Sequence, residues 1–122
     1  LSIEPLFSIN VPKVRFLDSS GNEITRAKAG DFIFVEATYN NTGSDGNYLL
    51  FIQFLDPGGQ IVGTALTVSA LSPSEVWKFN YGLYLPNVQG TYSAKVWVWS
   101  NWPAYGGKYR SLAYTNTIPV SP

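Results

Sequence analysis

"AGDFIFVEATYNNTG", residues 29–43, opens on a Gly-Asp turn signal and then alternates without a break. A strand places successive side chains on opposite faces. One face of this run is Ile33, Val35, Ala37 and Tyr39, and the other is Phe32, Phe34, Glu36 and Thr38. Glu36 and Thr38 mark the second face as outward, which makes Phe32 and Phe34 outward aromatics. The run closes on Asn40, Asn41, Thr42 and Gly43. Asn41-Thr42-Gly43 reads as the turn that ends the strand, because Asn and Gly tolerate left-handed backbone. Asn40-Asn41-Thr42 also fits the N-glycosylation acceptor pattern, so Asn40 is a candidate glycan site in an exported chain.

The same reading extends along the chain. Gly and Pro recur at short intervals, and no window between them carries a helical apolar period. Seven main strands are predicted, at about 11–17, 32–40, 47–55, 60–67, 75–81, 91–99 and 111–120. "SSGN" (19–22) and "DPGG" (56–59) read as tight turns, the second with Pro presetting φ before glycines that allow positive φ. Regular turn signals between β-branched and aromatic runs indicate an all-β sandwich or barrel. Residues 1–10 read as a lead-in or linker and residues 11–122 as one β-sandwich domain, in keeping with 122 residues.

Two further strands carry the functional signal. In "GTYSAKVWVWS" (90–100), Tyr92, Ala94, Val96 and Val98 make one face, while Ser93 and Lys95 mark Trp97 and Trp99 as outward. In "NYLLFIQFLD" (47–56), Tyr48, Leu50, Ile52 and Phe54 alternate with Leu49, Phe51, Gln53 and Leu55, so both faces are apolar. Such a strand is covered on both sides or carries a contact surface. Low charge favours the surface, and Leu49, Phe51, Trp97 and Trp99 are its candidate residues.

Composition narrows the chemistry. Charged residues are 13%, about half the usual share, with eight basic and eight acidic residues balancing to zero. No basic patch points to nucleic acid and no polybasic segment to a membrane surface. There is no Cys and no His. The commonest general base and metal ligand are therefore missing, as is any thiolate chemistry. The acids sit mostly in or beside predicted turns, where they cap backbone. "GSDGN" (43–47) lacks the spaced oxygens of a calcium loop, and "YGGKY" (105–109) opens no helix that could cradle phosphate. The expectation is a non-enzyme with no catalytic residue, no cofactor and no metal. There is no Met, even at position 1, so a mature product or excised domain is expected. Any signal or membrane segment would lie upstream.

The order of motifs resembles the immunoglobulin-like, CARDB-type domains of archaeal and bacterial surface proteins. In that pattern a Gly-Asp turn (Gly30-Asp31) opens a strand ending in Asn-x-Gly (Asn41, Gly43). A Leu-x-Pro-x-Glu segment (Leu71, Pro73, Glu75) starts a later strand, and Gly90-Thr91-Tyr92 starts the penultimate one. The family's usual Pro-Gly-Glu reads Pro73-Ser74-Glu75 here. The resemblance covers about residues 11–120 and implies an antiparallel immunoglobulin-like sandwich of about seven strands. Within the group, the chain looks like the soluble ectodomain of an archaellum stator or accessory protein. That likeness implies cell motility, and a location at the cell surface or pseudo-periplasm beside an N-terminal membrane segment. It also implies anchoring of the filament machine to the S-layer.

The expected function is then a non-catalytic, extracytoplasmic, protein-binding domain acting through aromatic hot spots. Its partner would be S-layer or another surface protein, and a self-complementary face would give a C2 homodimer. Two rivals stand beside it. One is a carbohydrate-binding module stacking sugars on Trp99, Trp102 and Tyr105. The other is a structural spacer in an S-layer or adhesin protein.

Overall fold

The structure, a computed structural model, describes residues 9–41, 46–99 and 109–122. Among these residues the chain forms strands only: β1 (Ile9–Leu17), β2 (Glu23–Ile24), β3 (Ala27–Lys28), β4 (Phe32–Asn41), β5 (Gly46–Leu55), β6 (Ile61–Leu71), β7 (Val76–Tyr84), β8 (Gly90–Trp99) and β9 (Tyr109–Ser121). They make a four-stranded sheet in the order β2-β1-β4-β7 and a five-stranded sheet in the order β3-β9-β8-β5-β6. The long strands pair antiparallel, and the stub β3 runs parallel to the end of β9. The seven predicted strands are all present. The two-residue stubs between β1 and β4 carry no periodic signal that a sequence reading could use. β1 begins at Ile9 and pairs there with Asn41.

The core follows the alternation. Ile33, Val35, Ala37 and Tyr39 of β4 face Tyr48, Leu50, Ile52 and Phe54 of β5 and Tyr92, Ala94, Val96 and Val98 of β8 in one buried cluster. From β1, Val14 and Phe16 join it, and Trp77, Phe79 and Tyr81 of β7 close its flank. Burying a large apolar side chain contributes about 1.5–3 kcal/mol, so this cluster is the main source of stability. Inside it, Phe16 meets Phe54 edge-on at 6.2 Å, and Phe54 stacks on Tyr92 at 5.5 Å.

Polar links hold the sheets in register. The Asn116 side-chain amide crosses from β9 to donate to the Val14 carbonyl at 2.7 Å. Tyr92, fully buried, donates its hydroxyl to the Val88 carbonyl at 2.6 Å. This is the geometry of a tyrosine corner at the start of a strand.

The turns repeat one device. Asp18 accepts from the backbone N–H groups of Ser20 and Asn22, and Asp56 accepts from those of Gly58 and Gln60, all four at 2.9 Å. Each hairpin then needs left-handed backbone at its fourth residue, supplied by Gly21 (φ 88°) and Gly59 (φ 84°). Of the turn expected at Asn41-Thr42-Gly43, only Asn41 is among the described residues. Asn41 is the last residue of β4 and is fully buried. Its N–H donates to the Glu75 carbonyl at 3.0 Å, and its carbonyl accepts from Ser74 at 2.7 Å. Backbone pairing with the segment before β7 thus extends the strand where residue type suggested a break. Thr42 and Gly43 lie outside the described residues.

Candidate protein-contact face

The register of the five-stranded sheet assembles the candidate residues. Phe51 pairs with Trp97 and Leu49 with Trp99 across β5 and β8. On the other side of β5, Phe51 pairs with Leu66 and Leu49 with Val68. Opposed residues in an antiparallel pair share a face. The outer face therefore carries two three-residue rows, Leu66-Phe51-Trp97 and Val68-Leu49-Trp99. The next row is Thr64, Gln53 and Lys95, a polar border. Lys95 is the only charge in these three rows.

The four candidates predicted from sequence come together, with different roles. Phe51, Trp97 and Trp99 are half-buried. The Phe51 ring stacks on Trp97 at 5.6 Å and 13°, and lies 5.0 Å from Trp99 at 55°. Leu49 shares the outward face but is only 3% exposed. It sits in the middle of its row between Val68 and Trp99, so it supports the cluster from below and offers no contact surface itself.

Sequence reading missed two members. Leu66 is 42% exposed and Val68 59% exposed on β6, the edge of the sheet. In "IVGTALTVSAL" the bulky residues Leu66 and Val68 alternate with small ones, and the usual rule points the bulky set inward. Here the small set faces in, because β7 aromatics already occupy that space. Tyr81 packs directly over Gly63, where any side chain would collide with its ring.

The opposite sheet has a different outer face. Arg15 sits between Glu36 and Glu23, with its Nε 2.6 Å from Glu36, and Lys13 lies 3.6 Å from Glu23. Glu36 was expected to be outward. It does point away from the core, yet it is only 6% exposed, because the Arg15 guanidinium covers it. The carboxylates hold the Arg15 guanidinium above its ordinary pKa, Glu36 chiefly through its hydrogen bond. Phe32 and Phe34, expected as outward aromatics, are outward and half-buried. They cover Gly82, and Phe32 meets Phe34 and Tyr84 edge-on at 5.1 and 4.9 Å. Asn40 is half-buried on this same sheet, paired with Val76.

Trp102 and Tyr105, the candidates for sugar stacking, lie outside the described residues. Among the described residues no group of three or more His, Cys, Asp or Glu side chains converges to hold a metal ion. No helix among them is long and apolar enough to cross a membrane.

The three long strands β1-β4-β7 of one sheet, packed on β6-β5-β8-β9 of the other, define an immunoglobulin-like β-sandwich. Comparison with solved structures agrees. The chain is similar to the C-terminal domain of wzt, with a TM-score of 0.71 at 9% identity over 98% of this chain and 78% of that one. It is similar to the CARDB domain of a Pyrococcus furiosus protein, solved in complex with di-metal ions, with a TM-score of 0.63 at 13% identity over 99% and 98% of the two chains. It also matches part of a Paenibacillus cycloisomaltooligosaccharide glucanotransferase, at TM-score 0.60 and 20% identity, over 92% of this chain but 14% of the enzyme. No family model and no curated protein sequence matches the chain. At these identities the likeness is one of fold.

Proposed function

We propose that this domain is a non-catalytic, extracytoplasmic protein-binding module whose contact surface is the outer face of the five-stranded sheet. The observation that carries the reading is the aromatic cluster of Phe51, Trp97 and Trp99, flanked by exposed Leu66 and Val68 and bordered on one side by the polar row Thr64, Gln53 and Lys95. Apolar anchors inside a polar rim are the anatomy of a protein interface. On this reading the domain holds a membrane-bound surface machine of the archaellum or pilus type to the S-layer, and the membrane segment is a separate part of the full protein. A glycan on Asn40 would project from the other sheet and leave the contact face open.

The ring geometry favours protein over sugar. Sugar stacking needs an open aromatic face. The Phe51 ring has two tryptophans of β8 against it, Trp97 stacked at 5.6 Å and Trp99 tilted at 5.0 Å, so part of its π surface is engaged within the cluster. The exposed neighbours Leu66 and Val68 add apolar area and no hydrogen-bonding groups.

The test is sedimentation velocity of the domain mixed with isolated S-layer protein, using the natural chain and Trp97→Asp. A complex formed by the first and lost by the second supports the reading. No complex, or one that Trp97→Asp leaves intact, overturns it.

A further inference from the structure

We propose that β6 is a self-pairing edge, joining two copies of this chain through an antiparallel β6–β6 contact into one continuous ten-stranded sheet. The inference goes beyond the contact face in resting on the backbone edge of β6; of that face it uses only the flank, Leu66 and Val68, and not the aromatic cluster.

Among the described residues, β6 pairs with β5 alone and ends its sheet. One whole side of an eleven-residue strand thus presents backbone donors and acceptors. The chemistry that complements such an edge is another extended strand. Natural edges are usually guarded by charge, proline or brevity. The other end strands are guarded in that way: β2 and β3 have two residues each, and β7 carries Lys78, while β9, which β3 covers only at Val120 and Ser121, carries Arg110 and Pro119. β6 reads Ile61-Val-Gly-Thr-Ala-Leu-Thr-Val-Ser-Ala-Leu71, with no charged residue and no proline.

The side chains select a second copy, and a register. A two-fold axis through Thr67 places each Leu66 opposite the Val68 of the other copy, twice over. Moving the axis to Leu66 would set Val68 against Thr64, and moving it to Val68 would set Leu66 against Ala70. The Thr67 register therefore matches aliphatic with aliphatic at both Leu66 and Val68, which is the favourable cross-strand pairing. It also keeps the two outer faces on one side. The row Trp97-Phe51-Leu66 then continues into Val68-Leu49-Trp99 of the other copy. Like charges oppose such an arrangement only weakly, since the chain carries eight basic and eight acidic residues and no net charge. The exposed areas of Leu66 (42%) and Val68 (59%) are what this contact covers.

The chain has no cysteine, which makes a cross-linking test clean. Sedimentation equilibrium of the natural chain across a concentration series is expected to show apparent mass rising from one chain toward two. Val68→Lys, at an exposed position, is expected to stay at one. Under mild oxidation Thr67→Cys should give a covalent dimer, because only residue 67 faces its own copy closely enough for a disulfide. Leu66→Cys, Val68→Cys and the β9 surface variant Thr115→Cys should cross-link several-fold less. A strict monomer at all concentrations overturns the proposal, as does a dimer that Val68→Lys leaves intact. Preferential cross-linking at residue 66 or 68 overturns the register. None of these outcomes bears on whether Trp97→Asp loses a surface-protein partner, so the two readings fail separately.

Discussion

Phe51 and Trp97 oppose each other across β5 and β8, with ring centroids 5.6 Å apart and planes within 13°. Both stand on the solvent side of the sheet, while their chain neighbours Ile52, Val96 and Val98 fill the core. This separation of faces makes a sharp prediction. Phe51→Glu or Trp97→Asp should abolish partner binding, a loss of 2 kcal/mol or more for a hot spot. The change in folding stability should be modest, about 1 kcal/mol, since each gives up a half-buried ring contact. Leu49→Asp should behave differently. With 3% exposure it would bury a charge and unfold the domain. Thermal midpoints of the three variants, measured beside binding, separate contact residues from support.

A second prediction concerns Ser74, which sits at φ 67° between β6 and β7. Its N–H donates to Asn41 and its neighbour Glu75 accepts from the Ser72 N–H at 2.8 Å, so the turn is held from both sides. A side chain at this φ is strained, and the serine is exposed. Ser74→Gly should relieve the strain at the cost of a freer unfolded chain, for a net gain of about 0.5 kcal/mol. Ser74→Ala keeps the Cβ and should give none. Paired denaturant melts decide the point. The positive φ is the physical reason why glycine suits the middle of this Pro73-Ser74-Glu75 turn.

How much could be read in advance follows from where the alternation is honest. β4, β5 and β8 have bulky apolar residues on the core face, and there both strand and inward set were legible. In β6 the bulky residues point out and the small ones in. The space above its inner face is taken by Tyr81, a residue distant in sequence, so a local pattern misassigns the strand's faces. Glu36 shows the same limit for charge. Its outward direction was legible, but its burial depends on Arg15 reaching from β1. Asn41, one residue past the predicted strand end, shows a third limit. Its residue type favours a turn, and backbone partners at Ser74 and Glu75 override that local preference. The aromatic cluster was legible because β5 and β8 each carried its members in phase; its flank on β6 was not.

Two tyrosines give a third prediction through their hydroxyls. Tyr92 donates at 2.6 Å to Val88, whereas Tyr39 reaches the Phe51 carbonyl only at 3.4 Å. A bond of good length contributes about 1 kcal/mol net, and one near the limit much less. Tyr92→Phe should therefore destabilise by about 1–1.5 kcal/mol. Tyr39→Phe should be close to neutral at pH 7, though both rings are fully buried. Urea unfolding of both variants tests the ordering, and equal losses would contradict it.

The same two side chains set the alkaline limit of the fold. Burial raises the Tyr39 phenol far above its ordinary range, and burial followed by the Asp56 charge raises that of Tyr92. In the unfolded chain both titrate near pH 10. Below that value both states hold the proton, and the full stability is present. Above it the unfolded chain releases protons that the folded chain keeps, so unfolding gains free energy with each step in pH. Stability should be flat through neutral pH and fall from about pH 10 upward. Tyr39→Phe removes the larger contribution, so its thermal midpoint, matched to the natural chain at pH 8, should lie above it at pH 11. Parallel melting curves across that interval would mean that the Tyr39 hydroxyl is open to solvent in the folded protein.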